Sequence, residues 1–119
     1  MSKKLILVVE DEKVERNLIS EVLETLGYDT VEAENGKIAL QMMDENNIDL
    51  ILSDINMPEM DGLELFRKVR ENNDKIPIIL MTGFDAEEAK KITKDYKASA
   101  LLTKPFRLMQ LKEIIDRLI

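Results

Sequence analysis

Apolar and polar positions along this chain follow two rhythms. Continuous apolar runs at residues 5–9, 50–52 and 78–81 are bounded by turn residues and read as buried strands of a parallel sheet. Residues 28–33 alternate enough for a further strand, and 99–102 form a weaker fifth. Between these runs the spacing turns helical. Val14, Leu18, Ile19, Val22, Leu23 and Leu26 mark the inward face of a helix over 13–26, and Gly27 stands where a left-handed cap is usual. Asn35 is a plausible N-cap for a helix from 36 to about 46 that buries Ile38, Ala39, Met42 and Met43. Two capping-box patterns, Asp61 with Glu64 and Asp85 with Glu88, open the third and fourth helices. The third runs to about 71 with Leu65, Phe66 and Val69 inward, and the fourth presents Ala89, Ile92 and Tyr96. The last, 106 to about 118, buries Leu108, Leu111, Ile114, Ile115 and Leu118.

Five strands alternating with five helices predict an α/β fold in three layers, a parallel sheet joined by right-handed crossovers. The order 2-1-3-4-5, with strands 1 and 3 adjacent at the switch point, is taken from doubly wound folds generally and not read from these residues. One domain over residues 1–119 is expected, with no linker, repeat or attached second domain.

In such sheets ligands bind at the carboxyl ends of the strands. The stretch from Ile48 to Gly62 is the most pointed: its apolar run stops at Asp54, and a loop with Pro58 and Gly62 follows. Strand 1 ends in Glu10-Asp11, strand 4 in Thr82 and strand 5 in Lys104. A parallel sheet carries all of these to one rim. A strand-end Asp is most often a cap or turn former, which suffices for Asp61 and Asp85, and Glu12 reads as part of a solvated turn. For Asp54 the company of Asp11 and Lys104 favours a functional reading.

Composition narrows the chemistry. The chain has no cysteine, which excludes thiolate metal sites and thiol nucleophiles, and no histidine, which removes the usual general base and zinc ligand. A net charge of −7 argues against nucleic acid as a direct partner. The apolar run after Met1 is too short for a signal peptide and nothing approaches membrane-spanning length, so a cytoplasmic location is expected. Two like charges about 4 Å apart repel by roughly 4 kcal/mol at an effective dielectric of 20, so Glu10, Asp11 and Asp54 on one rim call for a cation. Hard oxygen ligands in this number suit Mg²⁺ better than the crowded cage of Ca²⁺. Thr82 and Lys104 then read as a donor and a point charge for an anionic group over the metal. A carboxylate so placed is a competent nucleophile for phosphoryl transfer, already ionised and needing no base.

Glu10-Asp11, Asp54-x-Asn-Met-Pro58 with Asp61-Gly62, Thr82-Gly83 and Lys104-Pro105-Phe106 together resemble the receiver domain of two-component response regulators, of CheY-like, stand-alone type, over the whole chain. The resemblance implies that Asp54 accepts a phosphoryl group from the phosphohistidine of a sensor kinase or phosphotransfer protein. It implies Mg²⁺ held by Asp11, Asp54 and the backbone carbonyl of Asn56, with Glu10 acting through water, and Thr82 and Lys104 on the phosphoryl oxygens. It further implies a signalling phosphoacceptor, not an enzyme in the ordinary sense, monomeric with dimerisation on phosphorylation left open. Downstream protein partners would read the face made by helix 4, strand 5 and helix 5. Many members carry an aromatic residue or His three positions before the lysine. Leu101 stands there in this chain, and Phe84 is the alternative contributor to the switch. Lys97 replaces the glycine common before Ala98.

Other classes fit less well. A degenerate receiver that binds a partner without phosphorylation would not need the complete acid, Thr and Lys set. Flavin phosphate wants a Ser/Thr/Gly-rich loop where this chain has Glu10-Asp11-Glu12. A dehalogenase-type phosphatase wants a second Asp two residues after its nucleophile in that loop, and Lys13 stands there instead.

Overall fold

A computed structural model of the chain describes residues 3–55, 62–72, 75–83, 87, 90, 91, 94 and 98–119. Five strands, β1 (Leu5–Val9), β2 (Asp29–Ala33), β3 (Leu50–Asp54), β4 (Ile78–Thr82) and β5 (Ala100–Thr103), pair in parallel in the order β2-β1-β3-β4-β5. The bounded helices are α1 (Lys13–Thr25), α2 (Gly36–Glu45), α3 (Gly62–Asn72) and α4 (Leu108–Leu118). Four helices are thus bounded among the described residues where the sequence predicted five. The predicted fourth, with its capping box and with Ala89, Ile92, Tyr96 and Lys97, lies largely outside them. Glu87, Lys90, Lys91 and Lys94 are described there, each helical.

Strand alternation divides the core in two. Ile6, Val8, Leu50, Leu52, Ile79, Met81 and Leu102 pack with Ile19 and Leu23 of α1 and Leu111 and Ile115 of α4. Leu7, Val9, Ile51, Ile78 and Leu80 face the other way, against Ala39 of α2 and Leu65, Phe66 and Val69 of α3. Because both faces are covered, β1 and β4 read in sequence as unbroken apolar runs.

Local chemistry sets the element ends. Helix α1 closes in a Schellman motif: Tyr28 N–H donates to the Leu23 carbonyl at 3.1 Å and Gly27 N–H to that of Glu24 at 3.0 Å. The motif puts Gly27 at φ +101°, a conformation that an L side chain resists. Asn35 caps α2, its Oδ1 accepting from Ile38 N–H at 2.9 Å.

Three expectations need correction. Val14 and Leu18 on α1 and Leu108 on α4 are 73%, 58% and 44% exposed, because nothing among the described residues covers that part of their helices. The last helix begins at Leu108, not at 106, since Arg107 is still extended and its N–H is taken by Gln110 Oε1 at 2.8 Å. Strand β5 starts one residue late, at Ala100, although Ser99 already bonds Ile78 of β4 twice: its N–H donates to the Ile78 carbonyl at 2.8 Å and its Oγ accepts from Ile78 N–H at 3.0 Å.

Candidate functional site

The alternation that splits the core also aims the rim. Glu10 continues the series Ile6, Val8 past the end of β1; Asp54 continues Leu50, Leu52; Lys104 continues Leu102 past β5. All three therefore leave the sheet on the side covered by α1 and α4. The backbone is held there by Ile55 N–H on the Met81 carbonyl at 3.2 Å and Lys104 N–H on the Thr82 carbonyl at 2.7 Å. Arg16 of α1 steadies the end of β1, donating to the Glu10 carbonyl at 2.7 Å and pairing with Glu32 at 3.2 Å.

At the centre stands the Lys104 ammonium. Its Nζ lies 3.2 Å from Asp54 Oδ2, 3.0 Å from Glu10 Oε2 and 2.9 Å from Glu15 Oε1. Burial works to lower the Lys104 pKa, but hydrogen bonds to Glu15 and Glu10 and the charges of Asp54 and Glu10 outweigh it and hold the amine above its ordinary value. Glu10 is almost wholly buried. That burial, countered by the Lys104 hydrogen bond and reinforced by the Asp54 charge, pushes its carboxyl up to about 7. Carboxylate oxygens of Glu10, Asp11 and Asp54 all lie within 4.8 Å of one another, with Asp11 exposed and Asp54 half-buried.

This geometry sits in a chain whose residues 6–116 match the family described as the response regulator receiver domain. The chain belongs to that family. The receiver is 34% identical over 116 residues to the response regulator receiver protein CpdR of Brucella abortus, covering 98% of this chain and 97% of CpdR. It is 35% identical over 111 residues to the sensor histidine kinase RcsC of Escherichia coli K12, covering 93% of this chain but only 12% of the kinase. Among solved structures, the chemotaxis protein CheY4 of Vibrio cholerae superposes with a TM-score of 0.92 at 31% identity, covering 99% of this chain and 100% of that one. TrrA of Thermotoga maritima, solved in complex with Mg²⁺ and BeF, gives 0.88 at 35% identity, covering 98% and 99% of the two chains.

The residues of the receiver fit a hard divalent cation. Three all-oxygen side chains converge, with carboxylate oxygens of Glu10, Asp11 and Asp54 close enough to share one ion. Of the residues singled out in sequence, Glu10, Asp11, Asp54 and Lys104 come together. Thr82 is buried at the end of β4, opposite Thr103 in register and next to Met81, the register partner of Asp54. Leu101 is partly buried and packs against the α2–α3 half of the core, away from the rim carboxylates. Asn56 and Phe84 lie outside the described residues. Among the described residues no helix is long and apolar enough to cross a membrane.

Sequence reasoning missed two members of the receiver's rim, Glu15 and Arg16. Both lie in the first turn of α1, and only the placement of that helix over the Lys104 side of the sheet singles them out.

Proposed function

We propose that this receiver is a phosphoacceptor switch in which Asp54 takes a phosphoryl group from the phosphohistidine of a sensor kinase or phosphotransfer protein. The observation that carries the reading is Lys104 Nζ at 3.2 Å from Asp54 Oδ2, beside the Glu10, Asp11 and Asp54 oxygens. An Asp54 carboxylate oxygen attacks phosphorus while the donor's P–N bond breaks. The electron pair of that bond leaves on the imidazole, which takes up a proton. Lys104 neutralises charge gathering on the phosphoryl oxygens, and Thr82 supplies a hydroxyl donor at the end of the neighbouring strand. Asp11, Asp54 and the Asn56 carbonyl would hold Mg²⁺, with Glu10 reaching it through water. Bound there, the ion supplies Lewis-acid stabilisation of the same oxygens.

Phosphorylation changes function only if it favours one of two conformations. The β5 and last-helix face, together with the segment over 85–97, is the surface we assign to that readout, with Leu101 as its hinge between core and surface. The output is contact with a downstream protein or onward transfer of the phosphoryl group, in the cytoplasm, and the chain acts as a signalling phosphoacceptor and not as a turnover enzyme.

Intact mass after incubation with a small acyl phosphate tests this. The expected result is one added phosphoryl that requires Mg²⁺ and is absent from Asp54→Asn. An adduct that survives in Asp54→Asn would place the chemistry elsewhere. No adduct under any condition would favour a receiver that binds its partner without phosphorylation.

A further inference from the structure

We infer that Glu15 is a positioning residue that competes with the incoming phosphoryl group for Lys104 and so slows phosphorylation of Asp54. The inference rests on the phosphoacceptor reading of Asp54. An ammonium has three N–H donors, and three carboxylates face Lys104 Nζ. The shortest contact is to Glu15, at 2.9 Å. Glu10 and Asp54 belong to the cluster of carboxylates within 4.8 Å that fits a cation, and Glu15 does not. A cation bound by that cluster would therefore compensate Glu10 and Asp54 and leave Glu15 as the competing charge on the lysine.

The fold explains why Glu15 is there. Lys104 leaves the sheet on the α1 side, and Glu15 lies in the first turn of α1 with its side chain 36% exposed. It is a helix-surface residue with no core role to keep it in place. A phosphoryl group on Asp54 presents anionic oxygens to the same ammonium, so Glu15 must yield a donor or repel the newcomer.

Glu15→Gln removes the charge while keeping side-chain length and helix propensity, so the variant folds. The test compares wild type, Glu15→Gln and Asp54→Asn in two measurements: the rate of adduct formation with acetyl phosphate and Mg²⁺ at low and high salt, and the NMR titration of the Lys104 side chain without metal. We expect Glu15→Gln to react roughly two- to five-fold faster at low salt, the range of a partly exposed ion pair, with the advantage shrinking as salt rises. Lys104 should lose its proton at lower pH in the variant. An unchanged rate, or a slower one showing that Glu15 aims Lys104 productively, overturns the inference while the phosphoacceptor reading stands. If wild type gains no Asp54-dependent adduct, that reading fails and takes the inference with it.

Discussion

The two sides of the sheet are built from the same kinds of residue but finished differently. On the α2–α3 side Leu65, Phe66 and Val69 are buried, Ile38, Met42 and Met43 pack against that core, and a groove of about 640 Å³ between the two helices is edged by Asp44, Lys68 and Glu71. On the α1–α4 side the inner row is just as dry, with Leu23, Leu111 and Ile115 fully buried. The outer row is not. Leu18 and Leu108 stand open beside a groove of about 480 Å³ that also takes in Phe106, Glu15 and Lys104. Both sides have a packed interior, and the more open α1–α4 side also carries Glu10, Glu15, Asp54 and Lys104 of the candidate site. Under the phosphoacceptor proposal the end of that groove at Glu15 and Lys104 has to stay open to an anionic group, which packed side chains there would prevent.

The largest expected effects lie in the inner rows and should not distinguish the sides. Phe66→Ala should cost about 3–5 kcal/mol and Leu111→Ala about 2–5 kcal/mol, read from urea unfolding midpoints, because both side chains are wholly buried. A loss below about 1 kcal/mol for Leu111→Ala would break the comparison, since the open side would then lack a packed interior of its own.

Where the sides meet, at the rim, the expected effect depends on pH. The Glu10 carboxyl sits at about 7 in the fold against 4.5 for a free side chain. Below that ordinary value both states hold the proton and nothing changes. As pH rises toward 7 the unfolded chain gives up its proton while the folded one retains it, so stability falls, by up to on the order of 3 kcal/mol once both have lost it. Metal-free protein should therefore unfold at lower urea at pH 8 than at pH 5, and Glu10→Gln should flatten much of that slope. Added Mg²⁺ should recover stability at pH 8 and do little at pH 5. A slope that persists unchanged in Glu10→Gln would move its origin to another group.

Which features were legible in sequence follows the same division. Strands β1 and β4 were readable because two-sided burial leaves no polar residue to interrupt them, and Asp54 because a carboxylate ending such a run is conspicuous. Gly27 and Asn35 were legible because their turn chemistry is local. Helical periodicity marks the face of a helix that can be covered, and says nothing of whether anything covers it; hence Val14, Leu18 and Leu108 were assigned inward. The start of α4 depended on Gln110 reaching back to Arg107, a contact that no apolar pattern records. Glu15 escaped because it follows the acidic run Glu10-Asp11-Glu12 and reads, residue by residue, as more solvated charge. Only the placement of α1 over the Lys104 side of the sheet singles it out.

The smallest effects sharpen the comparison most. Leu18→Gln and Leu108→Gln should each change stability by no more than about 0.5 kcal/mol, the range for surface substitutions, although a leucine is replaced by an amide. Their counterparts across the sheet, Leu65 and Val69, are buried and could not take that change. Unfolding midpoints at two protein concentrations decide the matter. Losses near zero at both mean the outer row is solvated in the free chain, so the openness belongs to the fold. A loss above about 1.5 kcal/mol that grows with concentration would mean that a second copy covers these leucines in solution. In that case the open side would be an interface, and Glu15 and Lys104 would lie at its edge.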